Sequence, residues 1–263
     1  MLENISKLLS IKEHERGKVF SCMLFAFLIG IIQVLVLVSS LSLFLKNYAI
    51  SILPYVYIAS SIVTLISGEI FGFFQTRMRL TTLMEGVLVV VIGSLFISWG
   101  MLIFTTYQFI ILVLIVWGWT VFGFCNLVVT NIINSLFSFE QGKRIYGMIA
   151  SALAAGGIFA GLISPIIVHF IRTAHMIAVS AIVSGIALYG LYKIKKVYFY
   201  GKIKENTSET RLSKIKLSKI APKNRKYIIL IFLFSALSTF AYYLLDQWHY
   251  LKKQHAAYLH DLN

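Results

Sequence analysis

Three polar side chains recur every fourth residue inside an otherwise apolar stretch of this chain: Asn126, Thr130 and Asn134, with Asn131 beside them. Spacing of i, i+4, i+8 puts them on one helix face, where amides and hydroxyls are costly against hydrocarbon but useful against water or another helix. A second pair, Gln33 and Ser40, stands seven residues apart in an equally apolar stretch and so shares a face. Two uses fit these residues: interhelical hydrogen bonds that hold a bundle together, or the lining of a hydrophilic path for a small solute. Charged candidates are fewer. Glu69 falls five residues from the end of its apolar stretch, about 7 Å inside that boundary at 1.5 Å per residue. It is placed to contact a gate, to pair with Arg77, Arg79 or a basic group on a neighbouring helix, or to carry a proton. Glu85 heads the next apolar stretch, where a carboxylate suits the positive end of a helix.

Nothing else in the chain resembles reaction chemistry. The histidines (His14, His169, His175, His249, His255 and His260) show no paired metal-ligand spacing inside an apolar stretch, and there is no Gly-rich loop of the Walker type. Cys22 and Cys125 lie far apart in apolar surroundings and read as small core residues rather than a disulfide or metal pair. The expectation is a protein that is not an enzyme and holds no metal or cofactor.

The elements that must position these residues are membrane spans. The chain has 263 residues, of which 59% are hydrophobic and 13% charged; a soluble domain is roughly 45–50% apolar and about 25% charged. Such an excess of apolar surface does not fit inside one soluble core. Runs long enough to cross a bilayer as helices occupy 19–45, 53–74, 83–104, 109–136, 145–170, 176–192 and 227–245. The first run is longer than a signal-peptide core and has no small-residue cleavage site behind it, so it reads as a retained span. The fold class expected is an all-α integral membrane protein with a six-helix bundle plus a seventh helix. Its divisions are a 1–18 amino-terminal segment, a 19–192 bundle, a 193–226 basic linker, and 227–263 with the seventh span and a short tail.

Charge fixes the orientation. The net charge of +14 would suit nucleic acid if spread over a surface, but the basic residues cluster in short segments between runs. Lys7, Lys12, Arg16 and Lys18, then Arg77 and Arg79, then Lys143 and Arg144, then the twelve between 193 and 226 make twenty of the 24 Lys and Arg. They occupy alternate segments, which places the amino terminus and the long loop in the cytoplasm, against anionic headgroups. Within 202–220, Leu212, Ile215, Leu217 and Ile220 interleave with basic residues, as in a stretch lying on the membrane surface. Run five is rich in small residues, and its Gly157/Gly161 pair has the spacing that lets two helices approach closely, followed by Pro165 as a kink.

Six spans, a long cytoplasmic loop and a returning seventh span resemble the amino-terminal half of a major facilitator superfamily transporter. Gly72-Phe73-Phe74-Gln75-Thr76-Arg77-Met78-Arg79 stands where that superfamily carries its Gly-rich basic loop. Thr76 replaces the usual acidic residue there, and a second glycine is absent. Phe139-Glu140-Gln141-Gly142-Lys143-Arg144-Ile145-Tyr146-Gly147, leading into a small-residue helix, resembles the segment between spans four and five in the ATP/ADP translocase-like branch. The resemblance implies a twelve-helix carrier in a bacterial inner membrane that works by alternating access, with inverted repeats and with spans one and four lining the cavity. It implies gate or headgroup roles for Glu140, Lys143 and Arg144, and a cargo in the nucleotide class. Spans one to six hold no buried basic residue for phosphates, a departure from that branch. It also implies a missing carboxy-terminal half or a second copy; a truncated, inactive carrier and a non-transporting membrane anchor or assembly protein are the alternatives. Single cysteines replacing Lys46 and Arg79 are expected to react with impermeant thiol reagents from opposite sides of the membrane; labelling from one side overturns the span assignment.

Overall fold

In hydrocarbon each backbone N–H and C=O must find its partner within the segment, and each apolar run does so as one helix. The computed structural model describes residues 16–104 and 109–199. They form α1 (Arg16–Asn47), a 3-10 turn (Ile50–Ile52), α2 (Leu53–Arg77), α3 (Leu80–Phe104), α4 (Phe109–Leu136), α5 (Phe139–Phe170) and α6 (Thr173–Ile194), with α6 continued by one π-helical turn, Lys195–Phe199. All six helices are long and apolar enough to cross a membrane. The chain divides into two units, Met1–Lys202 and Ile203–Asn263, and the described residues all belong to the first. The seventh span at 227–245 and most of the basic linker lie outside the described residues. The linker's first residues differ from expectation, because helix continues through 193–199 rather than stopping at 192.

The bundle is apolar on the outside as well as in its core, where Phe25, Ile29, Leu88, Leu114 and Ile132 are buried among a few small polar residues, which identifies a multi-pass membrane protein. Outward-facing Ile97, Leu162, Ile182 and Ile186 are all more than half exposed. Ser39, Ser40, Ser164, Ser180 and Ser184 are buried, and each hydroxyl donates to a carbonyl three or four residues earlier in its own helix. Back-bonded serines cost little inside a bundle and leave helices free to pack closely. α1 and α5, at 32 residues each, would span about 48 Å, more than the hydrocarbon core of about 30 Å. They therefore tilt or protrude.

α1 is the hub. It packs on α5 most extensively, then on α6 and α4. α4 in turn packs on α2 and α3, and α3 packs on α6. Exchanging helices one to three for four to six preserves this pattern: α1 on α5 becomes α4 on α2, α1 on α6 becomes α4 on α3, and the α1–α4 and α3–α6 pairs map onto themselves. α2 and α5, which exchange with each other, make at most marginal contact, so a gap separates them beside the α1–α4 crossing.

Close approach of α1 and α5 depends on two glycines. A Cβ on Gly30 would overlap the carbonyl oxygen of Leu153, and one on Gly156 would overlap that of Phe27. Gly157 touches the same seam more loosely, 3.2 Å from a methyl of Val34 at its would-be Cβ. The expected Gly157/Gly161 pairing is therefore corrected. Gly161 has nothing within 4 Å, and Pro165, one turn on, is exposed on the same outer side. Pro165 stands inside a continuous α5 rather than ending it. Its missing N–H and its ring both bear on the carbonyl four residues earlier, which belongs to Gly161.

α3 and α6 are fastened near both ends. The Trp99 indole N–H donates to His175 Nδ1 at 3.1 Å, and Lys195 Nζ donates to Glu85 Oε2 at 2.7 Å. Glu85 thus stands in the second turn of α3 as one half of an ion pair, rather than as a free first-turn anchor. Substituting Gly30→Ala or Gly156→Ala is expected to cost about 3 kcal/mol or more, because the added methyl meets backbone rather than a movable side chain. Gly161→Ala is expected to change stability by no more than about 1 kcal/mol. Thermal unfolding in detergent distinguishes them.

Candidate functional site

At the α1–α4 crossing the chain brings its sequence-identified amides together. Gln33, near the middle of α1, is 4% exposed, and its Nε2 donates to the carbonyl oxygen of Phe122 at 3.3 Å. Asn126 Nδ2 donates to the same oxygen at 3.0 Å. One carbonyl thus fixes two side-chain amides from two helices. Their oxygens, Gln33 Oε1 and Asn126 Oδ1, accept no hydrogen bond from the described residues. Among the described residues the fully buried side-chain oxygen without a partner is Oε1 of Glu85.

Helix geometry tells where these oxygens lead. Successive residues turn about 100° around an α-helix. On α4, Gly118 and Phe122 mark the side that meets α1, through Ser40 and Gln33. Gly123 marks the side that meets α2, with its would-be Cβ 3.1 Å from Thr64. Trp119, Asn126 and Thr130 fall in the sector between those two sides, and Asn134 lies at its edge. That sector faces the gap between α2 and α5. Thr130 is half-buried and makes no hydrogen bond among the described residues, and Asn134 is exposed near the carboxy-terminal end of α4.

The remaining expected site residues part company. Ser40 is fully buried, donates to Val36 at 2.6 Å, and lies 3.1 Å from the would-be Cβ of Gly118. It closes the α1–α4 crossing and lines nothing. Asn131, one residue after Thr130, turns to α2, where its Oδ1 accepts from Gln75 Nε2 at 3.4 Å. Arg77 and Arg79 are exposed, and the Arg77 guanidinium lies over the Phe73 ring, 4.2 Å from its centroid. Glu140, Lys143 and Arg144 belong to the start of α5, and their side chains lie outside the described ones. That start is capped at Ser138, whose backbone N–H donates to Gln141 Oε1 at 2.9 Å, so the Glu140–Arg144 motif coincides with a helix start.

Glu69 has no ion-pair or hydrogen-bond partner among the described residues. It sits on the exposed face of α2, turned away from the side where Tyr57, Thr64 and Gln75 meet α4, in a strip formed with Ile58, Ile62, Leu65 and Phe73. The expected pairing with Arg77 or Arg79 is not formed. Eight residues before the end of α2, the carboxylate is about 12 Å from that end.

Some residues of this region were silent in the sequence. Trp119 makes edge contacts with Tyr57 at 5.7 Å and Phe122 at 6.0 Å, forming an aromatic cluster beside the amide pair. An isolated Trp in an apolar run carries no signal of its own. Gln75 was read only as part of a loop motif, and Lys195 only as a topology charge.

Comparison with known protein families, curated proteins and solved structures finds no match to this chain. The site therefore rests on its own geometry. Replacing Glu69 by Leu is expected to leave bundle stability within about 1 kcal/mol of the original or to raise it, because an unpaired carboxylate on an apolar strip is being removed. Glu85→Leu is expected to lower stability clearly, since it strands Lys195 without its partner. Unfolding midpoints of the two variants test the contrast.

Proposed function

We propose that this chain forms a transport bundle, in which the α1–α4 crossing lines a path for a small polar solute moved by alternating access. The observation that carries this reading is the pair of amides tied to one carbonyl, with Thr130 one turn further along the same gap-facing sector. An amide whose only role was holding helices together would be expected to use both its ends across the interface. Gln33 and Asn126 use their nitrogens, and their oxygens accept nothing from the described residues. Further support comes from which helices touch: α1 packs on α5 and α6 as α4 packs on α2 and α3, the first pair more extensively. Three spans per half make the second half enter the membrane from the opposite side, so such matched pairings are what an inverted repeat would produce. The resemblance to the major facilitator superfamily points the same way.

One observation favours a second reading, in which the bundle is an assembly partner. Glu69 on the bare strip of α2 suits contact with another helix that carries a donor or a cation at the same depth. The two readings are compatible if the carrier needs that partner.

Two measurements on the same chain test the transport reading. Thr130→Cys is expected to react with a hydrophilic thiol reagent in membranes, while Cys125 and Ser40→Cys, both buried, do not. Proteoliposomes carrying the whole chain are expected to take up at least one polar solute from a panel of nucleosides, nucleotides and polyols. Gln33→Leu and Asn126→Leu should each reduce that uptake about tenfold or more. A Thr130→Cys variant that stays unlabelled, together with absent uptake, ends the transport proposal.

A further inference from the structure

We propose that His175 is a proton-binding site that works as a catch: neutral, it holds the ends of α3 and α6 together, and protonated, it lets them part. The proposal stands whether or not the α1–α4 crossing carries a solute. It begins with one hydrogen bond. The Trp99 indole N–H donates to His175 Nδ1 at 3.1 Å. An indole nitrogen donates and does not accept, so the bond exists only while Nδ1 keeps its lone pair and the ring hydrogen sits on Nε2. A proton taken up from water goes onto that lone pair. The imidazolium then carries N–H at both nitrogens, and two donors face each other where a donor met an acceptor. Both rings are half-buried, so water reaches the pair, while Trp99 also packs on the main core and stays with α3.

The surroundings of the ring do not turn this loss into a new contact. The ring centroids are 6.1 Å apart with the planes at 58°, and the bond runs out from the indole edge, so the imidazole lies beside that edge rather than over the face. An aromatic edge is its positive side and repels a cation that the face would attract. Among the described residues, the charged and titratable groups of the elements packed against this end of α6 are Lys46 of α1, Tyr48 just beyond it, His169 of α5 and Arg172 in the turn before α6. α3 contributes none there. None of their side chains bonds to the imidazole among the described residues, and Lys46 and Arg172 are themselves cations. The described carboxylates stand elsewhere. Glu85 is fourteen residues, about 21 Å, back along α3 and holds Lys195, and Glu69 is on α2.

Position gives the catch its effect. Trp99 lies in the last two turns of α3 and His175 in the first turn of α6, while Lys195 and Glu85 bridge the same two helices at their other ends. Among the described residues these are the two side-chain bonds that join α3 to α6. A carboxylate and an ammonium ordinarily keep their charges at a pH that protonates histidine. Mild acid therefore opens one fastening and leaves the other, so that α3 and α6 splay at the His175 end and pivot at the Lys195 end.

The test uses the whole chain in nanodiscs with isotope-labelled tryptophan, read by NMR from about pH 8 to about pH 5, the span in which histidine ordinarily titrates. Trp99→Phe and Trp117→Phe identify the two indole signals. That of Trp99 is expected to move upfield as the pH falls, while that of Trp117, which donates to the Ser94 hydroxyl at 2.9 Å, stays in place. His175→Gln presents an acceptor oxygen that does not titrate, and it should hold the Trp99 signal at every pH. Spin labels on Phe104→Cys and Thr173→Cys should move apart in acid in the otherwise native chain, stay together in His175→Gln, and stand apart at every pH in Trp99→Phe. A Trp99 signal that does not move, or that moves equally in His175→Gln, overturns the proposal. So does a label spacing that ignores pH, because the bond would then break without letting the helices part. Should His175→Gln fail to fold, the Trp99→Phe chain decides in its place: a spacing there that still widens in acid overturns the proposal.

Discussion

The bundle depends on how near α1 and α5 come to each other. At Gly30 and Gly156 the backbone of each helix fills the place where a side chain of the other would begin. Lipid tails are as apolar as leucine, so burial alone gives two spans little reason to associate; close packing and hydrogen bonding supply it. With its backbone pressed onto α5, α1 still reaches α6 on one side and α4 on another. The crossing that holds Gln33 against Phe122 is therefore set from the far side of α1. Widening the α1–α5 seam would rotate or displace Gln33, although neither glycine touches an amide.

Polar groups inside the bundle fall into two kinds, and the difference is physical. Serines on α1, α5 and α6 return their hydroxyls to their own helix and behave as small packing residues. Amides and indoles reach across: Gln33 to α4, Gln75 to Asn131, Trp99 to His175 and Trp117 to Ser94. Most of these bonds are between one donor and one acceptor and join neighbouring helices. At Phe122 two donors share one acceptor, which leaves surplus acceptor capacity in the gap. That surplus distinguishes this pair from the one-to-one fastenings elsewhere in the bundle.

Much of the fold could be read from the residues because hydrocarbon leaves a long uncharged run no alternative to a helix. The six runs from 19 to 192 correspond to the six helices, and their ends moved by a few residues, most visibly before Ile145 and beyond Tyr192, where charged residues extend a helix past the bilayer. Helix rotation was harder. An i, i+4 spacing identifies a shared face but not what the face meets, so Gly157/Gly161 looked as suitable for packing as Gly156/Ala160, and the second pair lies inward. Asn131 stood next to the stripe in sequence and yet belongs to the α2 side. Ser40 shares Gln33's face and is sealed by Gly118, because a glycine on the partner helix invites close contact at that level. The partners of Glu85 and His175 lie on a neighbouring helix 110 and 76 residues away in sequence, a distance over which local patterns carry no information.

The double fastening of α3 to α6 has a consequence for how such a bundle deforms. A pair pinned near both membrane surfaces resists shear and twist alike, so it behaves as one broad stave. α2 and α5 lack such pins towards each other, and each leans mainly on a single neighbour. Thermal motion should therefore concentrate in α2, opening and narrowing the space beside it like a hinged shutter, while α5 stays clasped to α1 and the stave keeps the far wall still.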